Sequence, residues 1–372
     1  MKKIRIIGTR GVPGAHGGFE TFAEQLSLYL VSKGWPVTVY CQEEGSGSLW
    51  CDEWCGVERV HIPVRQQGAL GTVVFDWLTI KHAAKHKDLC LTCGYNTAIF
   101  WVRLRLSGIQ NIVCMDGIEW RRSKWNIVAK IWLWLNERAA CYFGNYLIAD
   151  HPEIKNHLSS HTYPKKITTI LYGAEGIGQV SETHLEKWGL KPRNYFTLIA
   201  RPEPENSILE IVQEFSKKPR NMNLVVLGNY NISNNDFQRK VLEAASDEVI
   251  FIGAIYDKSI VQSLRFYCLA YFHGHQVGGT NPSLVEAMAA SNVVIAHNNR
   301  FNRWVLGESG YYFADAESLS VVLEFVLSKP DILDMIREKN LQRYLDEFTW
   351  SHILKQYEEL LISFMEKGLN NG

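Results

Sequence analysis

Strand-like and helix-like segments alternate along this chain in two successive series, and this alternation constrains the fold more than any single motif. Apolar residues at helical spacing over Phe19–Lys33 follow one β-branched run and precede another. The first series predicts strands at Lys3–Ile7, Pro36–Tyr40, Arg59–Pro63, Leu89–Thr92, Asn111–Met115 and Tyr146–Ala149. Strands separated by helices of this length form a parallel sheet, whose ligands bind at the carboxyl ends of the strands.

A second series begins near Tyr195, with helices predicted at Asn206–Phe215 and Pro282–Ala289. Its predicted strands are Tyr195–Ala200, Asn223–Leu227, Val249–Ile252, Cys268–Phe272 and Asn292–Ala296. A length of 372 residues also favours about two domains. We therefore predict an α/β fold of two Rossmann-like, doubly wound domains, residues 1–175 and 176–350. They would face each other across a ligand-binding cleft, and an amphipathic C-terminal helix within 351–372 would pack back toward the N-terminal domain.

Composition and charge narrow the class of protein. With 46% hydrophobic and 21% charged residues, the chain is typical of a folded globular protein. Residues 1–175 contain 20 Lys and Arg against 15 Asp and Glu, and the remainder contains 19 against 24. A basic half could face phosphates or an anionic membrane, or the difference could be ordinary surface composition. Zero net charge and the absence of a recognised nucleic-acid-binding motif argue against nucleic acid binding.

The sequence contains only weak indications of a targeting segment or of a metal-binding motif. The N-terminus lacks the apolar region of a signal peptide, and the most apolar stretch, Ile127–Leu135, is interrupted by Lys130. We therefore expect a cytoplasmic protein with reduced cysteines and no membrane span. The pairs Cys51/Cys55 and Cys90/Cys93 lack partners at zinc-site spacing, so no metal is expected.

A glycine-rich loop, RGVPGAHGGFETF, follows the first predicted strand. Gly17 and Gly18 would let the backbone approach a phosphate next to a helix N-terminus, but the loop could equally be a connecting turn. A dinucleotide fold has support from Glu43 or Glu44 after the second strand, where a ribose-binding carboxylate belongs. The glycine spacing from Gly8, G-x-x-G-x-x-G, departs from the dinucleotide fingerprint.

A second loop, within FHGHQVGGTNPSLVEAMAASNVVIA, runs from strand to helix. Gly278, Gly279, Thr280 and Asn281 would supply backbone amides for a diphosphate, because the first helical turn follows at Pro282. Glu286 would accept hydrogen bonds from ribose hydroxyls, or it could be an ordinary surface glutamate.

This second loop resembles the donor-binding signature of the retaining glycosyltransferases of family 4, which have the two-domain GT-B fold. In that signature two glutamates eight residues apart flank a glycine loop before E-A-M-A. Glu286 matches the second glutamate, and the first, which contacts the donor sugar, is replaced by Gly278. The resemblance leaves that role to His275 or to the loop amides.

A second part of the resemblance is ARPEPENSILEIVQEF, similar to the family motif whose arginine and lysine neutralise the donor diphosphate. Arg201 matches the arginine, and Asn206 occupies the lysine position. Leaving-group stabilisation would then rest on Arg201, helix amides and a residue such as Arg10.

The four segments RGVPGAHGGFETF, MDGIEWRRSKW, RPEPENS and HGHQVGGTNPSLVEAM together resemble a bacterial subgroup that includes β-1,4-rhamnosyltransferases of capsule and O-antigen assembly. Related enzymes often have a cleft residue near the reacting sugar at the position of Asp116. Asp116 could accept the acceptor hydroxyl's proton or position that hydroxyl, or it could cap its loop. Glu119 and Arg121 at the same sheet edge are candidate acceptor-binding residues.

Aromatic and basic residues interleave between Trp120 and Arg138. The tryptophans at 120, 125, 132 and 134 could contact a membrane that carries a lipid-pyrophosphate acceptor, with peripheral binding to its cytoplasmic face, or several could be core residues.

The resemblance implies metal-independent, retaining transfer of a sugar with no further cofactor. The subgroup favours L-rhamnose from dTDP-rhamnose as the donor, and UDP and GDP sugars stay open. The acceptor would be a glycan or a polyprenyl-diphosphate-linked oligosaccharide. In this prediction Asp116, Arg201 and His275 are catalytic. The donor contacts are Gly17, Gly18, Asn206, Gly278, Gly279, Thr280, Asn281 and Glu286. A nucleotide-sugar epimerase or hydrolase, a nicotinamide oxidoreductase and a non-catalytic sugar-nucleotide binding protein remain alternatives.

Overall fold

A computed structural model of the chain describes residues 3–14, 17–178, 180–231, 233 and 235–369. Its strands are β1 Ile4–Ile7, β2 Val37–Glu44, β3 Trp50–Trp54, β4 Val57–Val64, β5 Leu89–Cys93, β6 Asn111–Met115, β7 Tyr146–Ala149, β8 Ile167–Thr169, β9 Tyr195–Ile199, β10 Asn223–Leu227, β11 Val249–Gly253, β12 Ala270–His273, β13 Val294–His297 and β14 Gly310–Phe313.

The α-helices lie between and after these strands. They are α1 Gly18–Ser32, α2 Gly68–Ala83, α3 Val102–Leu106, α4 Ile127–Phe143, α5 Pro152–Ser159, α6 Thr183–Glu186, α7 Ile208–Ser216, α8 Asp236–Glu243, α9 Lys258–Phe266, α10 Pro282–Ala289, α11 Arg300–Leu306, α12 Ala316–Ser328, α13 Pro330–Glu347 and α14 Trp350–Leu369. No helix in the described ranges is both long enough and apolar enough to cross a bilayer.

The chain divides into two compact units. Unit 1 contains Met1–Arg121, Trp125–Tyr172 and Trp350–Gly372, and unit 2 contains Arg122–Lys124 and Gly173–Thr349. The last helix, α14, is therefore part of unit 1.

Unit 1 is built on an eight-stranded sheet of order β3-β4-β2-β1-β5-β6-β7-β8. All neighbouring strands are parallel except β3, which runs antiparallel to β4. The strand order reverses direction between β1 and β5, which is the point where open α/β sheets bind ligands.

Helices α1 and α14 cover one face of the unit 1 sheet. The rings of Phe22 and Tyr357 lie 4.8 Å apart within an apolar cluster that also includes Leu26, Ile353 and Leu361. Glu358 accepts hydrogen bonds from Tyr29 Oη at 2.7 Å and from Trp35 Nε1 at 3.2 Å. These contacts hold α14 in the core of unit 1 although it is far from that core in sequence.

Unit 2 has a six-stranded, wholly parallel sheet of order β11-β10-β9-β12-β13-β14. Its direction reverses between β9 and β12. Apolar residues of α7 and α12 cover this sheet, with Ile211, Phe215 and Leu323 fully buried. The loops that follow β9 and β12 therefore lie side by side at the ligand-binding edge.

Two of the predicted strands in unit 2 begin too early. The predicted strand at Cys268 begins instead at Ala270, because Cys268 lies in the turn that ends α9. The strand predicted from Asn292 begins at Val294, because the side chain of Asn292 bonds to the carbonyl of Arg265 at 2.7 Å. Strands β3, β8 and β14 were not predicted.

Candidate active site

The loop after β9 carries Arg201 at the ligand-binding edge of unit 2. The Arg201 side chain is exposed, and among the described residues its guanidinium has no carboxylate partner. Its carbonyl oxygen accepts a hydrogen bond from Asn206 Nδ2 at 2.7 Å. Asn206 is buried, so its amide fixes the loop that presents Arg201.

The loops after β9 and β12 are bonded closely to each other. Ser207 Oγ donates to the carbonyl of Gly274 at 2.8 Å, and the Gln276 amide donates to the carbonyl of Glu205 at 2.9 Å. A Cβ on Gly274 would lie 2.1 Å from the backbone oxygen of Asn206. Glycine is required at 274 because the two backbones touch there.

Two stacked histidines lie at this edge, His273 at the end of β12 and His275 in the loop that follows it. The rings of His273 and His275 are 4.4 Å apart and nearly parallel. Burial, followed by the charges of Arg122 and Arg201, lowers the pKa of His275 to about 3. Burial also holds the pKa of His273 well below its usual value. Both rings are therefore neutral near pH 7, and His275 can act there only as an uncharged donor or acceptor.

The glycine loop ends at the N-terminus of α10. Asn281 caps this helix, because its Oδ1 accepts from Ser283 N at 3.0 Å. Thr280 is buried, and Gly279 is half-buried. Gly278 has a φ of +141° and open space where a side chain would project. A glutamate at 278, as in the family signature, would be strained in this backbone conformation.

Glu286 lies one turn into α10 and is held by a residue that the sequence did not single out. Its Oε2 lies 2.6 Å from Nη2 of Arg265, whose side chain is buried in unit 2, while Glu286 keeps 42% of its side chain exposed. A buried cation therefore orients this carboxylate, and the contact of Glu286 with a donor ribose stays a prediction.

Glu205 is a carboxylate of this site that was not predicted from the sequence. It is buried at the base of the loop after β9 and binds Arg122, whose Nε donates to Oε1 at 2.7 Å. Arg122 is therefore committed to an ion pair within unit 2. Glu205 follows Pro204 in the segment PEPEN, and this local sequence contains no pattern from which the pairing with Arg122 could be predicted.

In unit 1, two glutamates of α1 accept hydrogen bonds from backbone amides of the glycine loop that precedes this helix. Glu20 Oε1 accepts from the amide of Arg10 at 3.1 Å, and Glu24 Oε2 accepts from Gly14 at 2.6 Å. Gly17 caps α1, and the carbonyl of Gly18 accepts from Tyr172 Oη at 3.2 Å. The contact of Gly17 and Gly18 with a donor phosphate stays a prediction.

Asp116 follows β6 directly and Glu119 begins the short helix Glu119–Arg121. Asp116 Oδ1 accepts from the amide of Gly117 at 2.8 Å, which is the loop-capping contact. Glu119 is buried, and its Oε2 accepts from Trp125 Nε1 at 3.3 Å. Arg121 is exposed and lies over the ring of Trp120. The loop brings these three predicted residues to one sheet edge, but it turns Glu119 inward.

Tyr95 and Glu137 hold this loop in place. Tyr95 Oη donates to the carbonyl of Gly117 and accepts from the amide of Glu119, both at 2.9 Å. Glu137 accepts from Trp120 Nε1 at 3.1 Å and contacts His157 Nε2 at 3.0 Å.

Glu137 also belongs to the candidate metal-ligand group in the described chain. Glu137, His157 and His161 bring three potential ligand atoms within 4.8 Å of one another. Glu137 already bonds to Trp120 and His157, so we interpret this group as support for the loop. All eight cysteines are free; Cys51 and Cys55 are exposed, and Cys90 and Cys93 are buried in β5.

A polar cavity of about 50 Å³ lies at the direction reversal of the unit 1 sheet, between the ends of β1 and β5. Asp76 and Thr79 of α2 line it together with Thr97, whose Oγ1 donates to Asp76 Oδ2 at 2.8 Å. Burial raises the pKa of Asp76 to about 7. Thr72, Asp76 and Thr79 repeat at helical spacing in an apolar helix, and that polar stripe is the signal that sequence reasoning overlooked.

Two family matches cover most of the chain. Residues 1–175 match a domain of unknown function, DUF1972, and residues 180–343 match the family described as glycosyl transferases group 1. No curated protein shows significant similarity to the sequence.

Solved structures with low sequence identity share the fold over nearly the whole chain. Sucrose-phosphate synthase from Thermosynechococcus elongatus is 17% identical, with a TM-score of 0.79 and coverage of 99% of this chain and 100% of that chain. Anabaena HepE in complex with UDP-glucose is 13% identical, with a TM-score of 0.77 and coverage of 98% and 100%. A trehalose-6-phosphate structure from E. coli, bound with UDP-2-fluoro glucose, is 11% identical, with a TM-score of 0.73 and coverage of 96% and 98%.

These findings confirm the predicted fold class of two Rossmann-like α/β domains. The glycosyl transferases group 1 match covers the part of unit 2 that carries Arg201, the glycine loop and Glu286. Together with the shared fold, it identifies the reaction class: the protein is a glycosyltransferase.

Proposed function

We propose that this protein transfers a sugar, with retention of configuration, from a nucleoside diphosphate to a glycan or lipid-linked oligosaccharide in surface polysaccharide synthesis. The proposed donor is dTDP-L-rhamnose, and the proposed place of action is the cytoplasmic face of a membrane. Donor identity and retention follow from the sequence resemblance to the rhamnosyltransferase subgroup. The observation that carries the proposal is that unit 2 presents two groups at its ligand-binding edge, an exposed Arg201 without a carboxylate partner among the described residues and a Glu286 oriented by Arg265.

Arg201 would stabilise the leaving group. When the bond from C1 of the sugar to the diphosphate breaks, negative charge grows on the diphosphate, and a fixed guanidinium lowers the energy of that state. The amides from Gly278 to Asn281, at the N-terminus of α10, would add further donors. Neither contribution requires a metal ion.

Glu286 would bind the ribose of the donor. One of its oxygens is bonded to Arg265, and its exposed part leaves an acceptor for the 3′-hydroxyl, the one hydroxyl that the deoxyribose of dTDP keeps. His275, being neutral, would donate a hydrogen bond to the sugar in place of the glutamate that Gly278 replaces.

Asp116 would act on the acceptor. The acceptor hydroxyl attacks C1 on the face from which the diphosphate departs, as retention in one step requires, and its proton passes to a base, for which the carboxylate of Asp116 is our candidate. The amide of Gly117 donates to Oδ1 of Asp116, and this contact holds the carboxylate at the end of β6.

A UDP-hexose is the second candidate donor. Among the structures with the same fold, HepE is in complex with UDP-glucose, and the E. coli protein is bound with UDP-2-fluoro glucose. The two candidates differ in the base, in the 2′-hydroxyl of the nucleoside and in the transferred sugar, and the resemblance to the rhamnosyltransferase subgroup favours the thymidine nucleotide.

A thermal-shift panel tests the proposal. The purified protein is heated with dTDP, UDP, GDP or NAD, each with and without EDTA. A ligand at 100 times its dissociation constant stabilises by about 2.7 kcal/mol, which raises Tm measurably. We expect dTDP alone to give this shift, unaffected by EDTA. Selective stabilisation by UDP would favour the second donor, and stabilisation by NAD alone or by none would contradict a nucleotide-sugar transferase.

A further inference from the structure

The outward face of α4 in unit 1 is apolar, the reverse of the pattern expected for a surface helix. Its inward face is formed by buried residues such as Leu133, Asn136 and Ala140. Ile127 and Val128 are 71% and 72% exposed. The exposed residues at helical spacing on the outward face are Ile127, Val128, Ile131, Trp132, Trp134 and Leu135.

A neighbouring segment of unit 1 extends this face. The short helix Ala98–Trp101 packs against α4, where Trp132 Nε1 donates to the carbonyl of Asn96 at 2.8 Å and the Ile99 amide donates to Asn136 Oδ1 at 3.0 Å. In α3, Arg105 Nη1 donates to the carbonyl of Tyr142 of α4 at 3.0 Å. This segment also exposes apolar side chains, namely Ile99, Val102 and Leu106. We call the exposed surface of α4 and residues 98–106 the α3–α4 face. A contiguous apolar surface of this kind marks an interaction site.

The charges on the α3–α4 face are positive. The two helices contribute Arg103, Arg105, Lys130 and Arg138. Their one acidic residue, Glu137, is buried, is bonded to Trp120 and His157 and lies 3.7 Å from Nη1 of Arg138. Arg105 lies over the ring of Tyr142 at 5.5 Å, and Arg138 lies over Trp134 at 5.2 Å. Apolar side chains, tryptophans and arginines together suit the boundary between the headgroups and the acyl chains of an anionic bilayer.

The structure separates the tryptophans of this region into two kinds. Trp120 and Trp125 are half-buried, and their Nε1 atoms are bonded to Glu137 and Glu119. Trp132 and Trp134 are exposed on the α3–α4 face. Of the basic residues between Trp120 and Arg138, Arg122 is paired with Glu205 in unit 2.

We propose that the α3–α4 face binds the surface of an anionic lipid bilayer, with α4 lying in the interface plane. The face adjoins the loop of Asp116, Glu119 and Arg121, because Trp125 and Asn126 connect that loop to α4 within unit 1. Delivery of a lipid-linked acceptor to this loop rests on the proposed function, whereas membrane binding itself does not.

Vesicle co-sedimentation tests the proposal on the full-length protein. Vesicles of phosphatidylcholine alone are compared with vesicles of an equal mixture of phosphatidylcholine and phosphatidylglycerol. We expect binding to the mixed vesicles, weakened by added salt, because the surface potential of anionic lipids is screened. Vesicles with brominated acyl chains should quench tryptophan fluorescence, because Trp132 and Trp134 would reach the acyl region.

Two variants locate the binding surface. The double variant I131E/L135E should lower the affinity for mixed vesicles by about tenfold or more, since two carboxylates would enter the interface. R103Q/K130Q should reduce the preference for anionic lipid. The control V321E/L345E changes exposed apolar residues of unit 2 and should bind like the unmodified protein.

Membrane binding by the α3–α4 face, misfolding of the variant and self-association of the protein predict different results in these experiments. An unchanged Tm and dTDP shift in I131E/L135E would show that the variant folds. Absence of vesicle binding by the unmodified protein, or equal binding by I131E/L135E, would overturn the proposal. So would a dimer in sedimentation equilibrium that I131E/L135E dissociates, without vesicle binding, because the face would then join two copies of the chain. Failure of the nucleotide panel with intact vesicle binding would contradict only the transferase proposal.

Discussion

The carboxylate of Glu286 and the guanidinium of Arg265 form an ion pair of 2.6 Å in which the arginine side chain is buried and the glutamate side chain is partly exposed. A buried arginine is costly without a partner, so the pair fixes both side chains. The exposed oxygen of Glu286 is thereby held at the edge of unit 2 before any ligand binds.

The Glu286 and Arg265 pair should act as one unit in donor binding. We expect Glu286→Gln to weaken dTDP binding about tenfold, equivalent to about 1.4 kcal/mol, because a charged acceptor for the 3′-hydroxyl of the deoxyribose is lost. Arg265→Met should weaken it similarly, and the double variant no further. Titration calorimetry measures these affinities, with Glu317→Gln, an exposed acid of α12, as control. Additive losses would show that the two residues act separately.

Arg201 should affect turnover more than binding. Its charge stabilises the departing diphosphate, so Arg201→Gln should lower kcat by about 10²-fold or more while the affinity for dTDP changes less. Arg201→Lys should recover part of the loss, because charge is kept but the planar geometry is not. Steady-state kinetics with Arg239→Gln, an exposed arginine of α8, as control measure the difference. An unchanged kcat would remove Arg201 from the mechanism.

Gly274 should tolerate no side chain. In Gly274→Ala the new Cβ would meet the backbone oxygen of Asn206 at 2.1 Å. The two loops must then separate, which we expect to cost about 1–3 kcal/mol in the free energy of unfolding and to abolish the dTDP shift. Gly176→Ala is a matched control, since its nearest neighbouring atom is 3.6 Å away. Urea unfolding of both variants would test this, and equal midpoints would refute the contact.

The neutral histidines predict a loss of stability in mild acid. The pKa of His275 is about 3 in the folded protein and about 6.5 when unfolded, so the unfolded chain binds more protons between these values. Stability should therefore fall as pH drops below about 6.5, by about 1.4 kcal/mol per pH unit for this residue. His275→Gln should show a shallower fall in Tm between pH 6.5 and pH 4.5. An identical slope would mean that His275 is protonated in the fold.

Asp76 predicts the opposite direction of pH dependence. Its pKa of about 7 in the folded protein exceeds the unfolded value of about 3.9, so the folded state binds more protons between these values. This residue's contribution to stability should therefore rise as pH falls from 7 toward 4. Asp76→Asn, which removes the charge, should raise stability at pH 8 by about 1–2 kcal/mol. Calorimetry at pH 8 and pH 5 would reveal this, and an equal effect at both values would contradict the raised pKa.

Sequence periodicity was sufficient to predict the bounds of those strands and helices whose local pattern agrees with their packing in the fold. The strands Asn111–Met115, Tyr146–Ala149 and Asn223–Leu227 and the helix Pro282–Ala289 have the predicted bounds. Each strand is a short apolar run buried in a parallel sheet, where both faces exclude water. Strand β3 was missed because it is an exposed antiparallel edge strand with polar residues, so it carries no such run.

The sequence by itself determined the two α/β units, the glycine loops at their strand ends and the candidates Arg201 and Glu286, because these follow from local pattern and motif. Only the tertiary structure decided which polar groups meet. It paired Glu286 with Arg265, Glu205 with Arg122 and Asn206 with the carbonyl of Arg201. It also buried Glu119 and placed Asp76 in the lining of the cavity between β1 and β5. Such pairings depend on strand order and on the burial of charge, and neither quantity is encoded in the spacing of residues along the chain.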